Sequence, residues 1–256
     1  MKKLVLAALA AMTVAPMASA ANYAVFLHGR SEASWSGPMT VPSGYTAVDA
    51  VKSWDGKARI DGSQVNYGSL ASLCSNGNQC VVYSYSTGGL IAARMQLVTG
   101  VNPLRQNSFA SAVGGSELAD ACGWVTQWGC YYGGVDDNLK PSWARNASNA
   151  LQYSRGMGTK HVLGNGFAWN LGGATHPVIS GDDDGAVGPH SSEGCSTTDT
   201  DGKMDGCRKE WCASRNWIGW CTDNRVEYRR KSGHSTMATG GWTHFNIVPT
   251  QSTYWY

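Results

Sequence analysis

Between residues 80 and 98 the chain reads CVVY, then SYSTGG, then LIAARMQLV. The first piece is a buried-strand candidate. In the last, Leu90, Ile91, Ala93, Met95 and Leu97 recur at helical spacing. The segment 84–89 must therefore turn a strand into a helix, and this junction constrains the fold more than any other feature. A bend this tight lifts its central side chain out of the sheet. It tolerates only small residues two before and two after, where larger ones collide with neighbouring backbone. Ser84 and Gly88 hold those places around Ser86, a variant of Gly-x-Ser-x-Gly with serine in the first small position. Ser86 then stands at a helix N-terminus, where backbone N–H groups favour developing negative charge.

Other short apolar runs end in the same way, in glycine or polar residues. Asn22–Leu27 stops at His28-Gly29, Phe109–Val113 at Gly114-Gly115, and His161–Leu163 at GNG. Val226–Arg229 precedes Ser232-Gly233-His234, and the reading makes it the last strand before a loop. Such runs, with helical patterns between some of them, predict parallel βαβ units whose site lies at the carboxyl ends of the strands. The stretch 41–65 is ambiguous, and the Gly-rich stretch 164–206 is expected as loop. No repeat or linker divides the chain.

Residues 1–20 read as a signal peptide: Lys2-Lys3, an apolar run from Leu4 to Val14, and Ala18-Ser19-Ala20 at the cleavage site. A single domain, 21–256, is expected to follow, secreted or periplasmic. The apolar run is too short for a membrane span, which needs about 20 apolar residues. The two leader lysines leave with it, so 21–256 carries 18 basic against 18 acidic groups. A net charge of zero removes the electrostatic case for a nucleic-acid partner. A small apolar ester or lipid fits better, and nothing in the composition fixes the oligomeric state. All eight cysteines follow the leader and none forms a CxxC pair, so disulfides are expected rather than zinc. Proximity favours Cys74 with Cys80 and Cys122 with Cys130; the last four pair among themselves in an order the sequence leaves open.

A serine hydroxyl attacks only when a base takes its proton. On this kind of sheet the acid follows the serine and the histidine comes last. His234 follows VEYRR in a Gly-containing loop and is the expected base. It is preferred to His244, which lies in the apolar stretch WTHFNIV and reads as a packed residue, and to His190. In Gly181-Asp182-Asp183-Asp184-Gly185, three adjacent carboxylates cannot all be buried cheaply, and Asp184 is the candidate to turn inward. The expected oxyanion donors are the backbone N–H of Thr87 in the bend and that of Arg30 after Phe26-Leu27-His28-Gly29, with His28 structural.

These pieces, in this order, resemble the bacterial secreted lipases of the α/β-hydrolase superfamily. Phe26–Gly29 is similar to their oxyanion loop and Ser84–Gly89 to their nucleophile bend. Gly115-Ser116-Glu117-Leu118-Ala119-Asp120 is similar to the Gly-Ser-x-x-Ala-Asp segment leading to a lid, and Asp184–Ser192 to the stretch that begins with the acid. The resemblance implies an α/β-hydrolase fold, with a mostly parallel central sheet, helices on both faces and disulfide-stapled loops. It implies a Ser86, Asp184, His234 triad cleaving carboxylic esters through an acyl-enzyme, with no cofactor required. A polyester or phospholipid substrate for the same triad, and a non-catalytic secreted binding protein, are the alternatives. The family's Asn-His-Leu-Asp is replaced by Gly233-His234-Ser235-Thr236, so its calcium aspartate is missing. A separate acidic loop, with Asp199, Asp201 and Asp205 at alternating spacing, is a candidate Ca²⁺ site. It falls in the cysteine-bearing stretch 193–221, which has no counterpart in the family and reads as an insertion between acid and histidine. The aromatic stretch 122–143 occupies the lid position.

Overall fold

A computed structural model of the chain describes residues 20–121, 133–150, 158–164, 179, 184–192, 208–228, 234–239 and 243–250. Its strands are β1 (Asn22–Leu27), β2 (Thr46–Asp49), β3 (Gln79–Tyr85), β4 (Arg105–Phe109), β5 (Gly158–Gly164), β6 (Arg208–Arg215), β7 (Cys221–Tyr228) and β8 (His234–Thr239). Its helices are α1 (Tyr67–Ser72), α2 (Thr87–Thr99), α3 (Glu117–Ala121), α4 (Val135–Leu139), α5 (Pro141–Ala144), α6 (Pro189–Ser192) and α7 (Ile247–Thr250). Six strands pair in parallel in the order β2-β1-β3-β4-β5-β8, and β6 and β7 form a separate antiparallel hairpin.

Alternation along the central strands separates two cores. Val25 and Leu27 of β1 and Cys80 and Val82 of β3 pack with Leu70 of α1 and Leu90, Ile91 and Met95 of α2. Ala24, Phe26, Val81, Tyr83 and Tyr85 face the other way and pack with Trp35, Phe109 and α7 residues Ile247 and Val248. Both faces are covered, which is why these strands are continuous apolar runs without a polar side. A disulfide joins Cys74, just past α1, to Cys80 at the start of β3, as sequence proximity favours. Cys122, Cys130, Cys195 and Cys207 lie outside the described residues, as do the leader through residue 19, the aromatics of 122–132 and Asp199, Asp201 and Asp205. Among the described residues no helix is long and apolar enough to cross a membrane. None of the described residues forms a group of three or more candidate metal ligands.

Two strand expectations shift. The fourth strand is Arg105–Phe109, not Phe109–Val113. Its centre is polar, with Gln106, Asn107 and Ser108 all buried, and Gln106 Nε2 donates to Ser84 Oγ on β3 (3.2 Å). Three buried polar residues in a row make no apolar run, so a search for apolar runs overlooks this strand. Of the run Val226–Arg229, the residues up to Tyr228 belong to the hairpin strand β7 and Arg229 lies outside the described residues; the last strand of the central sheet is β8, where the sequence reading expects loop.

Candidate active site

Ser86 caps α2 with φ 52° and ψ −123°, a left-handed backbone that a side chain adopts only when the surroundings impose it. Its amide donates to Phe109 O (3.1 Å), and its carbonyl accepts from Gly89 N (3.1 Å) and Ala112 N (2.8 Å). The neighbouring glycines leave no room for anything else. A Cβ on Gly88 would fall 2.1 Å from Leu27 O, and one on Gly89 would fall 1.6 Å from Ser111 Oγ. On the opposite side, a Cβ on Gly29 would sit 3.0 Å from Ser86 Cβ. Gly88 is thus set by the backbone of Leu27 and His28, Gly89 by the Ser111 side chain, and Gly29 by the Ser86 and Tyr85 side chains.

The imidazole beside this serine belongs to His244. Its Nε2 lies 2.9 Å from Ser86 Oγ, and its Nδ1 lies 2.9 Å from Asp184 Oδ2. Ser86, Asp184 and His244 are all buried, Asp184 to within 1% of its surface. Two further contacts fix the histidine loop: His244 N donates to Asp184 O (2.8 Å), and Tyr85 OH donates to His244 O (2.8 Å). Burial, followed by the nearby charges of Glu32 and Asp184, pushes the Tyr85 phenol well above the usual tyrosine range, so it stays a donor. Phe245 packs edge-on against the imidazole and is half exposed.

The acid stands in a turn closed by Asp184 N donating to Val187 O (3.3 Å). Asp184 Oδ1 accepts from the amides of Ala186 (2.9 Å) and Val187 (2.8 Å), leaving Oδ2 for the imidazole. With the carboxylate as acceptor only, Nδ1 carries the ring proton and Nε2 is left to accept from the Ser86 hydroxyl. The Gly-Ser segment at 114–116 supports this loop. Ser116 Oγ donates to Ala186 O (2.6 Å) and Gly114 N to Ser191 O (2.8 Å), while Arg145 Nη2 donates to both Glu117 Oε1 and Ser191 Oγ (2.8 Å each). Two of the motifs that carried the family resemblance are therefore one physical unit.

His234 is not at the site, and the assignment is corrected to His244. Strand register gives the reason. His234 is the first residue of β8, level with Thr159, Gln106 and Val82 across the sheet. Val82 is four residues short of Ser86, so His234 starts roughly 13 Å down the strands and about 14 Å across three of them. It lies at the amino end of a parallel strand, whereas the site is at the carboxyl end. His244 follows that same strand by five residues, in a turn closed by Thr243 N donating to Asn246 Oδ1 (2.8 Å).

The other expected residues fall as follows. Thr87 is the first residue of α2, fully buried, with its amide among those a helix leaves without an internal partner. Arg30 lies in the turn after β1, its guanidinium paired through Nε and Nη2 with the Asp136 carboxylate. His28 is structural, as expected. Its ring nitrogens face Gly29 O (3.0 Å) and Val51 O (3.2 Å), and the ring stacks on Trp54.

No protein-family model matches the chain, and no curated protein matches it in sequence. Solved structures do match in shape. A lipase of Bacillus licheniformis, BlEst2 in its mature form, superposes with a TM-score of 0.56 at 17% identity, covering 93% of this chain and 90% of that one. The phospholipase PlaB of Legionella pneumophila gives 0.54 at 13% identity over 89% of this chain and 55% of that one. The fold is that of the α/β-hydrolases. Serine at the strand-to-helix bend, acid on the loop before the last central strand, and histidine just after that strand are placed at the carboxyl edge of such a sheet.

Proposed function

We propose that this protein is a secreted serine hydrolase that cleaves carboxylic esters, a lipase or esterase acting through an acyl-enzyme. The observation that carries the reading is the unbroken pair of 2.9 Å contacts from Ser86 Oγ through the His244 ring to Asp184 Oδ2. A non-catalytic binding protein has no use for a buried, strained serine aligned on an imidazole and a carboxylate. The similar structures are those of a lipase and a phospholipase, which supports an ester substrate here. The leader-like residues 1–20 support export.

In this mechanism Ser86 Oγ attacks the ester carbonyl as its proton passes to His244 Nε2. Asp184 holds the ring by Nδ1–H and stabilises the imidazolium that forms. The tetrahedral oxyanion takes hydrogen bonds from the amides of Thr87 and Arg30. The Gly29 amide donates to Glu32 Oε2 (2.9 Å), and the loop that continues into Arg30 is packed on the serine. Collapse expels the alkoxide, which leaves as alcohol with the proton from Nε2. Water, deprotonated by the same nitrogen, attacks the acyl-Ser86 carbonyl and releases the acid.

The test compares three variants on a short p-nitrophenyl ester. Ser86→Ala and His244→Ala each lower kcat/KM by about 10⁴-fold or more, while His234→Ala keeps activity within about threefold. A fluorophosphonate probe labels the parent and not Ser86→Ala. Activity retained in either of the first two variants overturns the reading.

A further inference from the structure

Arg30, in the turn after β1, and Asp136, on α4, are joined across 106 positions of sequence. Arg30 Nε and Nη2 donate to the two oxygens of the Asp136 carboxylate, with Nη2 3.1 Å from Oδ2. Two parallel bonds of this kind fix a guanidinium in one plane. The Asp136 side chain is 5% exposed and that of Arg30 26%. Asp136 Oδ2 also accepts from Gly133 N (3.4 Å), so the carboxylate is tied to its own segment as well as to Arg30. A buried ion pair is a poor source of stability, because apolar residues of similar volume serve as well or better. What this pair supplies is direction.

The turn that it holds is the one packed on Ser86 through Gly29. The amides on either side of Arg30 are committed, Gly29 N to Glu32 Oε2 (2.9 Å) and Ser31 N to Gly56 O (2.8 Å). Ser31 takes φ 64°, a left-handed backbone that a side chain rarely adopts. Opposite it, a Cβ on Gly56 would fall 2.4 Å from Glu32 O. The segment 56–57 in turn carries the start of α4. Val135 N donates to Lys57 O (2.9 Å), and a Cβ on Gly133 would fall 2.5 Å from the same oxygen. From the last residue of α4 the contacts run on to the acid. Ser116 N donates to Leu139 O (2.8 Å), and Ser116 Oγ donates to Ala186 O (2.6 Å) in the Asp184 turn. By one end α4 thus holds the turn bearing Arg30, and by the other the segment that supports Asp184.

We infer that Asp136 is a positioning residue for ester hydrolysis: through the Arg30 guanidinium it holds the Arg30 amide where the oxyanion forms. This rests on the proposed reading of Ser86 as nucleophile and of the Arg30 amide as oxyanion donor. A donor aimed at the oxyanion is worth about 10²- to 10³-fold in kcat, provided that it is in place before charge develops. Displacing a positioned group by about 1 Å costs up to roughly 10²-fold. A turn tied only through its own backbone has that freedom; one pinned to a buried carboxylate on another element does not.

The test removes the tie and keeps the fold. Arg30→Met combined with Asp136→Leu replaces the pair by apolar side chains and leaves every backbone amide in place. Asp136→Asn keeps the shape and one acceptor and loses the paired bonds. On a short p-nitrophenyl ester the double variant keeps its thermal midpoint within about 5 °C of the parent. Its kcat falls by about 10- to 100-fold with KM within about threefold, and Asp136→Asn falls between it and the parent. The second readout is an alkyl trifluoromethyl ketone. Ser86 Oγ bonds to its carbonyl carbon, the carbonyl π pair moves onto oxygen, and the serine proton passes to His244. The adduct needs the same donor as the transition state, so its affinity falls by the same factor as kcat/KM. A folded double variant with the parent kcat, or a lowered kcat with ketone affinity unchanged, overturns the role of Asp136. If the double variant does not fold, parent kinetics in Asp136→Asn overturn it. Ser86→Ala tells the two readings apart. Activity retained there removes the ester reading and this one with it, whereas parent kinetics in the double variant beside an inactive Ser86→Ala remove only the role of Asp136.

Discussion

Tyr85 shows how one hydroxyl, on the residue before Ser86, reaches a loop 159 positions away. Its phenol lies under the imidazole, with ring centroids 5.2 Å apart, and its O–H donates to the carbonyl of His244. In the proposed mechanism this side chain touches no reacting atom; it positions His244, which does. Tyr85→Phe keeps the ring packing and removes only the donor, leaving a buried carbonyl short of a partner. Stability should fall by about 1–2 kcal/mol. Loosening of the histidine loop should lower kcat by roughly ten- to a hundredfold with KM little changed. Thermal melting and steady-state kinetics on a soluble ester check both parts. A purely structural role would lower the melting midpoint and leave kcat unmoved.

At the scale of elements, the βα junction is built on a close approach of the Gly88 backbone to that of β1, and glycine substitutions separate it from ordinary helix energetics. In α2, a Cβ at Gly88 would drive into Leu27 O, so Gly88→Ala must push the helix off β1 and should cost about 1–3 kcal/mol or more. In α1, Gly68 is exposed, and a Cβ there meets only Asn66 Oδ1 at 3.4 Å, so Gly68→Ala should stabilise by about 0.5 kcal/mol. Urea unfolding of the pair should give opposite signs; a shared sign refutes the packing argument. The same local crowding made Ser86 legible in the sequence, since a tight bend writes its needs into adjacent residues. Asp184 was legible because its turn uses its own next residues. The histidine was not local in this sense: placing it required counting central strands. β8 reads HSTMAT, without an apolar run, and the run VEYRR, whose first three residues end β7, stands before it, so apolar patterning points to the hairpin strand as the last of the sheet. Gly240-Gly241 after HSTMAT repeats the glycine ending of the other central strands and was the signal pointing to β8, and through it to His244. The Trp-bearing hairpin was illegible for another reason, since pairing β6 with β7 depends on a contact that no periodicity announces.

Taken whole, the molecule is a sheet with a buried layer on each face, and each layer holds a tyrosine whose phenol is spent on a carbonyl. Tyr67 packs against the α1/α2 layer and donates to Ile60 O (2.8 Å); Tyr85 lies in the other layer and donates to His244 O (2.8 Å). Burial pushes both phenols above the usual range; at Tyr67 Arg94 opposes the rise and Asp61 adds to it, and at Tyr85 Glu32 and Asp184 add to it. The consequence is a dependence of global stability on alkali. Below about pH 10, folded and unfolded chains both keep these protons, so neither phenol contributes a slope. Above it the unfolded chain releases them and the folded chain does not, so the folded state binds more protons and stability falls. The loss should approach 1.4 kcal/mol per pH unit for each tyrosine, or roughly twice that for the pair. Urea-unfolding free energies measured from about pH 8 to 11.5 should be level with respect to these groups at first and then decline. Tyr67→Phe, remote from the triad, should lower stability at neutral pH yet remove about half of the alkaline slope. A slope unchanged by that substitution would mean that the Tyr67 phenol ionises as readily in the folded chain as in the unfolded one, and that the layer packed on α1 and α2 admits water.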